Sequence, residues 1–379
     1  MDRRRIFFML SLGGLALGLT GVSWLTRRPM PVTARDPESI GWDEPIDAPL
    51  VLVAGRMDGG SPRPDGAAMV TRGFDIPSDR PAERVDTPEL ESAEAYLLVG
   101  VDHTRGRWGR ADSILVAFFD DASGHVGVVS IPRDLLVEVP DHGPARINAT
   151  LRIAMRQERD PLRAIRERVQ EVLDTPIDHV LVGDLEAFER SVDALGGIVV
   201  NVPCSIRDRF VDPRVEGGRR WLDVAAGQRR LDGITAAMYV RSRHGRSDWD
   251  RARRQQAVLA GLRSRLRAIG PAGWLPVVGQ ALQEGVFTTM SRLELIALAR
   301  RVSRVRPERT HGVLIGTRQT RATRTADGRY VLEPDYPAID EALAGLFEAP
   351  SPGSRPARKR CPDPDVALRF RSREAAVGE

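Results

Sequence analysis

The apolar positions of this chain change period several times, and the changes mark out its elements. Residues 96–101, 113–119 and 125–131 form three short apolar runs, each bounded by glycine or charge, and read as strands. Beyond them Leu162, Ile165, Val169 and Val172 recur at three- and four-residue steps, the period of a helix with one buried face. A second helix is predicted over 185–195, led by Asp184 as N-cap and ended by Gly196 and Gly197. Strands at 178–182 and 198–202 follow these two helices. Past Asp250 the helical spacing returns in Val258, Leu259, Leu262, Leu266 and Ile269; ahead of it the short apolar run 236–240 reads as part of an extended segment. A helix over 291–302, strands at 313–316 and 330–332 and a closing helix at 338–347 complete the pattern. Strands alternating with helices over this length predict an α/β fold, a three-layer α-β-α sandwich with a central mixed sheet, forming one large domain over 92–348.

The flanks read differently. Arg3, Arg4 and Arg5 precede an uncharged run from Ile6 to Thr26, long enough as a helix to cross roughly 30 Å of hydrocarbon, and the arginines keep the N-terminus inside. Residues 1–27 are therefore expected to be a cytoplasmic stub and single transmembrane anchor, with a cleaved or twin-arginine leader as the competing reading. Residues 28–91, rich in Pro, Gly, Asp and Arg with one apolar island at 49–54, read as an extracytoplasmic tether, and 349–379 as a disordered tail. Either N-terminal reading places the domain outside the cytoplasm.

Composition narrows the function classes. The formal net charge is only +4, with acids interleaved among the bases, and Lys359 is the only lysine among 56 basic residues, so arginine density by itself carries little weight. No helix-turn-helix spacing supports a nucleic-acid-binding regulator, the rival from another class. The six histidines show no metal spacing, and G-x-S-x-G, Walker and Cys/His zinc patterns are missing. Cys204 lies near the domain and Cys361 in the tail, which weighs against a disulfide that an oxidising compartment would permit.

Three segments carry candidate chemistry. In 241–256 six arginines and two aspartates crowd the start of the helix that follows Asp250, with Arg251, Arg254 and Gln255 within one turn and Arg241 and Arg243 just ahead. Guanidinium forks match paired phosphate oxygens, and helix N-terminal amides favour anions, so diphosphate suits them; a solvated arginine face is the plainer alternative. Between the first two strands, Asp102 ends one and Arg110 and Asp112 begin the next, so two carboxylates flank one loop. The third strand runs into Pro132, Arg133 and Asp134, where proline stops the ladder as the arginine emerges.

Taken in order, these segments resemble the LytR-CpsA-Psr family, with its loop aspartate, R-x-D, S-x-P-R-D, basic-x-Asn and closing R-x-R…D-x-x-R-x-x-R-Q. The counterparts are Asp102; Arg110 with Asp112; Ser130 to Asp134; Arg146 with Asn148; and Arg241, Arg243, Asp248, Arg251, Arg254 and Gln255. Arg146 stands where the family usually has lysine. The resemblance implies an extracytoplasmic, magnesium-dependent phosphotransferase that moves a glycopolymer from a polyprenyl diphosphate carrier to peptidoglycan or another cell-envelope acceptor. It implies that Arg133, Asp134, Arg241 and Arg243 carry the transfer, and that Arg110, Arg146, Arg251 and Gln255 join three of them on the diphosphate. Asp102 and Asp112 would hold Mg2+, with Asn148, Asp248 and Arg254 in support. A carrier diphosphate hydrolase, water replacing the acceptor, is the alternative on the same fold.

Overall fold

The computed structural model describes residues 51–52, 90, 92–104, 107–242, 248–281, 285–325, 328–347 and 361. The expected anchor, most of the tether, most of the tail, and Arg243 lie outside these residues. Among the described residues no helix is long and apolar enough to cross a membrane.

Two residues of the apolar island form the edge strand β1 (Val51–Leu52), so the island adds to the sheet of the domain. The long strands β2 (Glu94–Thr104) and β3 (Arg107–Asp120) make a hairpin that continues into β4 (His125–Ile131). There follow a small hairpin of β5 (Leu136–Val139) and β6 (Gly143–Arg146), then α1 (Thr150–Arg156), α2 (Pro161–Leu173), β7 (His179–Asp184) and α3 (Leu185–Ala194). Next come β8 (Ile198–Val202), β9 (Ile206–Val211), β10 (Arg219–Val224) and β11 (Gly227–Leu231), leading into α4 (Gly233–Arg241) and α5 (Asp248–Ala281). The chain closes with β12 (Val286–Thr288), α6 (Arg292–Arg304), β13 (Thr310–Leu314), β14 (Thr320–Arg324), β15 (Tyr330–Pro334) and α7 (Tyr336–Ala344).

The main sheet has seven strands in the order β1-β13-β4-β3-β2-β7-β12. It is mixed: β1, β13 and β4 run parallel, as do β2 and β7, while β3 and β12 are antiparallel to their neighbours. Period-two alternation sends Leu97, Val99, Val116 and Phe118 to one face, where they pack with Leu151, Ile165, Val169 and Ile339 of α1, α2 and α7. Tyr96, Leu115, Ala117 and Val128 point the other way, against Leu259 of α5 and Leu295 and Leu298 of α6. Helices thus cover both faces, as the alternating pattern predicts. A separate apolar cluster joins β8–β11 to α4 and α5 through Val200, Leu222, Tyr239 and Val258. Asp184 caps α3 as expected, accepting from Ala187 N at 2.6 Å.

Three expectations need correction, and one helix is interrupted. Residues 236–240 belong to α4, begun by Asp232, whose carboxylate accepts from Thr235 N, so Arg241 sits in the last turn of a helix and not on an extended segment. The segment expected to be a loop after Asp102 is mostly ladder, because β2 runs to Thr104 and β3 starts at Arg107. The helix of 248–281 breaks at Gly270, whose φ of 64° is accessible to glycine without the Cβ penalty, and Pro271 restarts it. Cys204 and Cys361 form a disulfide, with Cα atoms 5.5 Å apart.

Candidate active site

The site is built where β2, β3 and β4 end beside α4 and α5. In the β2–β3 ladder Gly100 pairs with Ser113 and Val101 with Ala111, leaving Asp112 unpaired; Val101–Ala111 is followed by His103–Trp108, so Asp102 faces two residues. These are β-bulges, which bend a strand and re-aim its side chains. Gly109 permits the second one, since a Cβ there would lie 2.4 Å from the Asp102 carbonyl oxygen. The result brings the carboxylates of Asp102 and Asp112 together. Burial and the neighbouring Asp112 charge raise the Asp102 carboxyl above its ordinary pKa, against the pull of Arg241 and Arg133. Asp112 is held below its ordinary value: burial opposes this, but the hydrogen bond and charge of Arg133, and then the charge of Arg251, outweigh it.

Arg133 emerges from β4 in a turn closed by Leu135 N donating to Pro132 O at 3.1 Å. The three carbonyls that follow are each fixed, Arg133 O by Asn148 N, Asp134 O by Leu332 N and Leu135 O by Ile147 N. Arg133 Nη1 donates to Asp112 Oδ1 at 2.6 Å, and its Nε lies 3.6 Å from Asp134 Oδ2. Arg146 Nη1 lies 3.3 Å from Asp134 Oδ1. Asn148, buried, therefore acts at least through its backbone, as a clamp on the arginine turn.

From the other side, Arg241 brings Nη2 to 4.0 Å from Asp102 Oδ1, with its guanidinium carbon 5.6 Å from the Phe210 ring centroid. On α5, Arg251 is buried with its charge acting on Asp112, and Gln255 is buried beside it. Arg254 serves a different end: its Nη2 donates to Ser242 O, at the exit of α4. Burial lowers its pKa, against the charges of Tyr239, Asp250 and Asp208, and burial likewise pushes the Tyr239 hydroxyl up to about 12.

The structure thus assembles Asp102, Asp112, Arg133, Asp134, Arg146, Arg241 and Arg251. It places Arg110 exposed on the bulged segment, where it makes no ion pair or hydrogen bond among the described residues. Arg243 and the Asp248 side chain lie outside the described residues. Sequence reasoning missed Asp208, Phe210, Ser242 and Gln256. Gln256, whose Nε2 donates to Ser130 Oγ at 2.9 Å, ties α5 to the end of β4; its place beside Gln255 was the available signal. A cavity of about 340 Å³ lies elsewhere, between α1, α2 and the β5–β6 turn, lined by Thr150, Gln157, Arg159 and Arg168.

The mixed α/β sandwich thus gathers arginines, Arg251 buried and Arg133 and Arg241 part-buried, over a carboxylate pair at its strand ends, an arrangement whose N–H groups match anionic oxygens. The chain belongs to the LytR_cpsA_psr family, whose model matches residues 70–347. TagV of Bacillus subtilis, named polyisoprenyl-teichoic acid–peptidoglycan teichoic acid transferase, is 27% identical over 211 residues, 54% of this chain and 51% of its own. MsrR of Staphylococcus aureus, named a regulatory protein, is 26% identical over 199 residues, 52% of this chain and 56% of its own. The crystal structure of B. subtilis TagV superimposes with a TM-score of 0.55 at 25% identity, covering 68% of this chain and 97% of that one. The chain spans about half the length of the curated relatives it matches.

Proposed function

We propose that this protein is a cell-envelope phosphotransferase that moves a glycopolymer from a polyprenyl diphosphate carrier to peptidoglycan or another envelope acceptor. The observation that carries the reading is the convergence of Arg133, Arg241 and Arg251 on the Asp102–Asp112 pair. The acceptor hydroxyl oxygen attacks the phosphorus that bears the sugar, the bond to the bridging oxygen breaks, and polyprenyl phosphate leaves while the hydroxyl proton passes to solvent. Arg133, Arg241 and Arg251, with Arg146 and Gln255 behind them, hold the diphosphate oxygens and stabilise the charge that builds on the leaving phosphate. Asp134, held between Arg133 and Arg146, orients both guanidiniums.

The donor set fits a hard divalent cation. Burial, and then the charge of the Asp112 carboxylate in contact with it, raise the Asp102 pKa; a cation would offset both, and Mg2+ takes one or two carboxylates with phosphate oxygens and water. Asp102 and Asp112 would hold it, and it would neutralise diphosphate charge.

The regulatory reading suggested by the name of MsrR loses its main support here. Arg251 and Arg254 are 6% and 7% exposed, so these two arginines of α5 point inward and are not presented to an outside polyanion. An extracytoplasmic location, single-pass at the cell membrane, follows from the run Ile6 to Thr26 and is supported by the Cys204–Cys361 disulfide, which persists in oxidising compartments.

The test uses the full chain and a short-chain prenyl diphosphate saccharide, with and without acceptor, with magnesium or with chelator, beside Asp112→Asn. Magnesium-dependent release of prenyl phosphate, lost in the variant and coupled to acceptor labelling, is expected. Release that ignores acceptor would make the enzyme a hydrolase, and release unaffected by Asp112→Asn would overturn the site.

A further inference from the structure

Strand β9 alternates in an unusual way for a two-stranded arm. Its outward residues Arg207 and Arg209 lie over the exposed Trp221 ring of β10, at 5.6 and 5.5 Å from the centroid. Its inward residues are Ile206, which joins the apolar cluster under the hairpin, then Asp208 and Phe210. Asp208 reaches Ser242, the residue that follows Arg241, and Phe210, packed at the edge of the same cluster, lies beside the Arg241 guanidinium. We infer that β9 is the positioning strand for Arg241 of the diphosphate site, Asp208 acting through Ser242 and Phe210 acting directly under Arg241; this rests on the phosphotransferase reading.

The geometry is specific. Asp208 is a buried carboxylate, 3% exposed, whose Oδ2 accepts from Ser242 Oγ at 2.9 Å and whose Oδ1 accepts from Arg209 N at 2.8 Å. Ser242 directly follows Arg241 and is fully buried. All of its polar groups are engaged: N–H to Met238 O at 2.9 Å, carbonyl from Arg254 Nη2, hydroxyl to Asp208. The backbone that leaves α4 is therefore pinned from three directions, and Arg241 starts from a fixed point. Its guanidinium then lies within cation–π range of Phe210, 5.6 Å from the centroid, and 4.0 Å from Asp102. An arginine side chain loses several freely rotating bonds when it binds, so holding it beforehand favours the bound state. Arg254, part of the family motif yet turned away from Asp112, has its role explained by the same contact: it closes the pin on the carbonyl side.

The experiment compares pairs of variants of the full chain, one member keeping the interaction and one losing it. Phe210→Leu keeps an apolar side chain but removes the ring face, whereas Phe210→Tyr keeps it; Ser242→Ala removes the hydroxyl, whereas Ser242→Thr keeps it. Binding of inorganic diphosphate by calorimetry, kcat/KM on the short-chain donor and melting temperature are measured for each, with Arg241→Ala as the reference. Phe210→Leu and Ser242→Ala are expected to lose roughly ten- to hundredfold in kcat/KM and diphosphate affinity, the scale for removing a partner that orients a site residue, with Tyr and Thr restoring most of it. A packing role alone would move melting temperature without separating Leu from Tyr. If Ser242→Ala does not fold, the half-buried Phe210 pair decides. Loss in Arg241→Ala with no difference within the Phe210 pair overturns the positioning role while leaving the diphosphate reading intact. No loss in Arg241→Ala overturns the diphosphate reading, and the positioning role with it.

Discussion

Arg133 is the residue on which most of the site turns, because one guanidinium reaches both Asp112 and Asp134. A planar fork can hold two carboxylates in place and still present N–H groups to phosphate, which an ammonium cannot. Arg133→Ala is therefore expected to slow transfer by roughly a hundredfold or more, the scale for losing one transition-state donor, and Arg133→Lys to restore little of it; steady-state kinetics on the short-chain donor check both. A second ionic cluster, beyond the end of β9, tests stability instead. The Asp212 carboxyl is held well below its ordinary pKa by the Arg214 hydrogen bonds, against burial and with help from Arg220. A depressed carboxyl contributes stability that is fully present above its unfolded pKa, near 3.8, and is lost as pH falls through the folded value. The difference in denaturation midpoint between the protein and Asp212→Asn should thus be full at neutral pH and shrink as the solution is acidified from about pH 3.8 downward through that window. A constant difference across pH would show that the Asp212 charge does not act as the contacts indicate.

The bulged β2–β3 hairpin makes the corresponding argument for an element. Gly109→Ala would set a Cβ against the Asp102 carbonyl, so the ladder must shift where it carries a site carboxylate. A cost of about 1–3 kcal/mol, typical of overpacking, is expected in denaturant unfolding, with transfer falling further than stability does because Asp102 moves. Gly183→Ala, which meets nothing within 4 Å, should leave transfer nearly unchanged, and equal effects of the two would remove the bulge from the argument. The same elements show what could be read from the chain. The strands β2 to β4, and helices α2, α3, α5 and α6, were legible because continuous apolar runs or three- and four-residue spacing survive in them. β8 and β15 were legible as well, but the hairpins β5–β6 and β9–β10 were not: β9 buries Asp208 and exposes Arg207 and Arg209, so its alternation is hidden by charge on both faces. The run 236–240 is too short for periodicity to decide between strand and helix, and the cap Asp232 was the signal that separates them. Of the site, ordered motifs named Asp102, Asp112, Arg133, Asp134, Arg146, Arg241 and Arg251, which lie together, and also Arg110, which stands apart and exposed. They could not reveal that Arg254 faces Ser242 and Arg251 faces the carboxylates, because both fall within one helical turn and only packing divides them.

At the scale of the whole molecule, the Cys204–Cys361 bond joins the turn after β8 to a residue beyond the closing helix, across 157 residues of sequence. It is the long-range tie that composition could not reveal, since two cysteines this far apart look unrelated until the fold brings their Cα atoms to 5.5 Å. A crosslink over so long a loop restricts the unfolded chain far more than the folded one, and chain-entropy reasoning sets the gain at up to ~5 kcal/mol. Much of it would be lost in a reducing compartment. Reductant, Cys204→Ser and Cys361→Ser are each expected to lower the melting temperature by several degrees and to the same extent, and the two substitutions together by no more than either alone. Thiol labelling under denaturing conditions gives the matching chemical readout: two reactive thiols after expression in a reducing cytosol, none after export, with melting temperature rising as the former is oxidised. Unequal effects of the two single substitutions would mean that one cysteine acts through packing, whereas a melting temperature indifferent to reductant would show that the tail is joined to the domain without stabilising it.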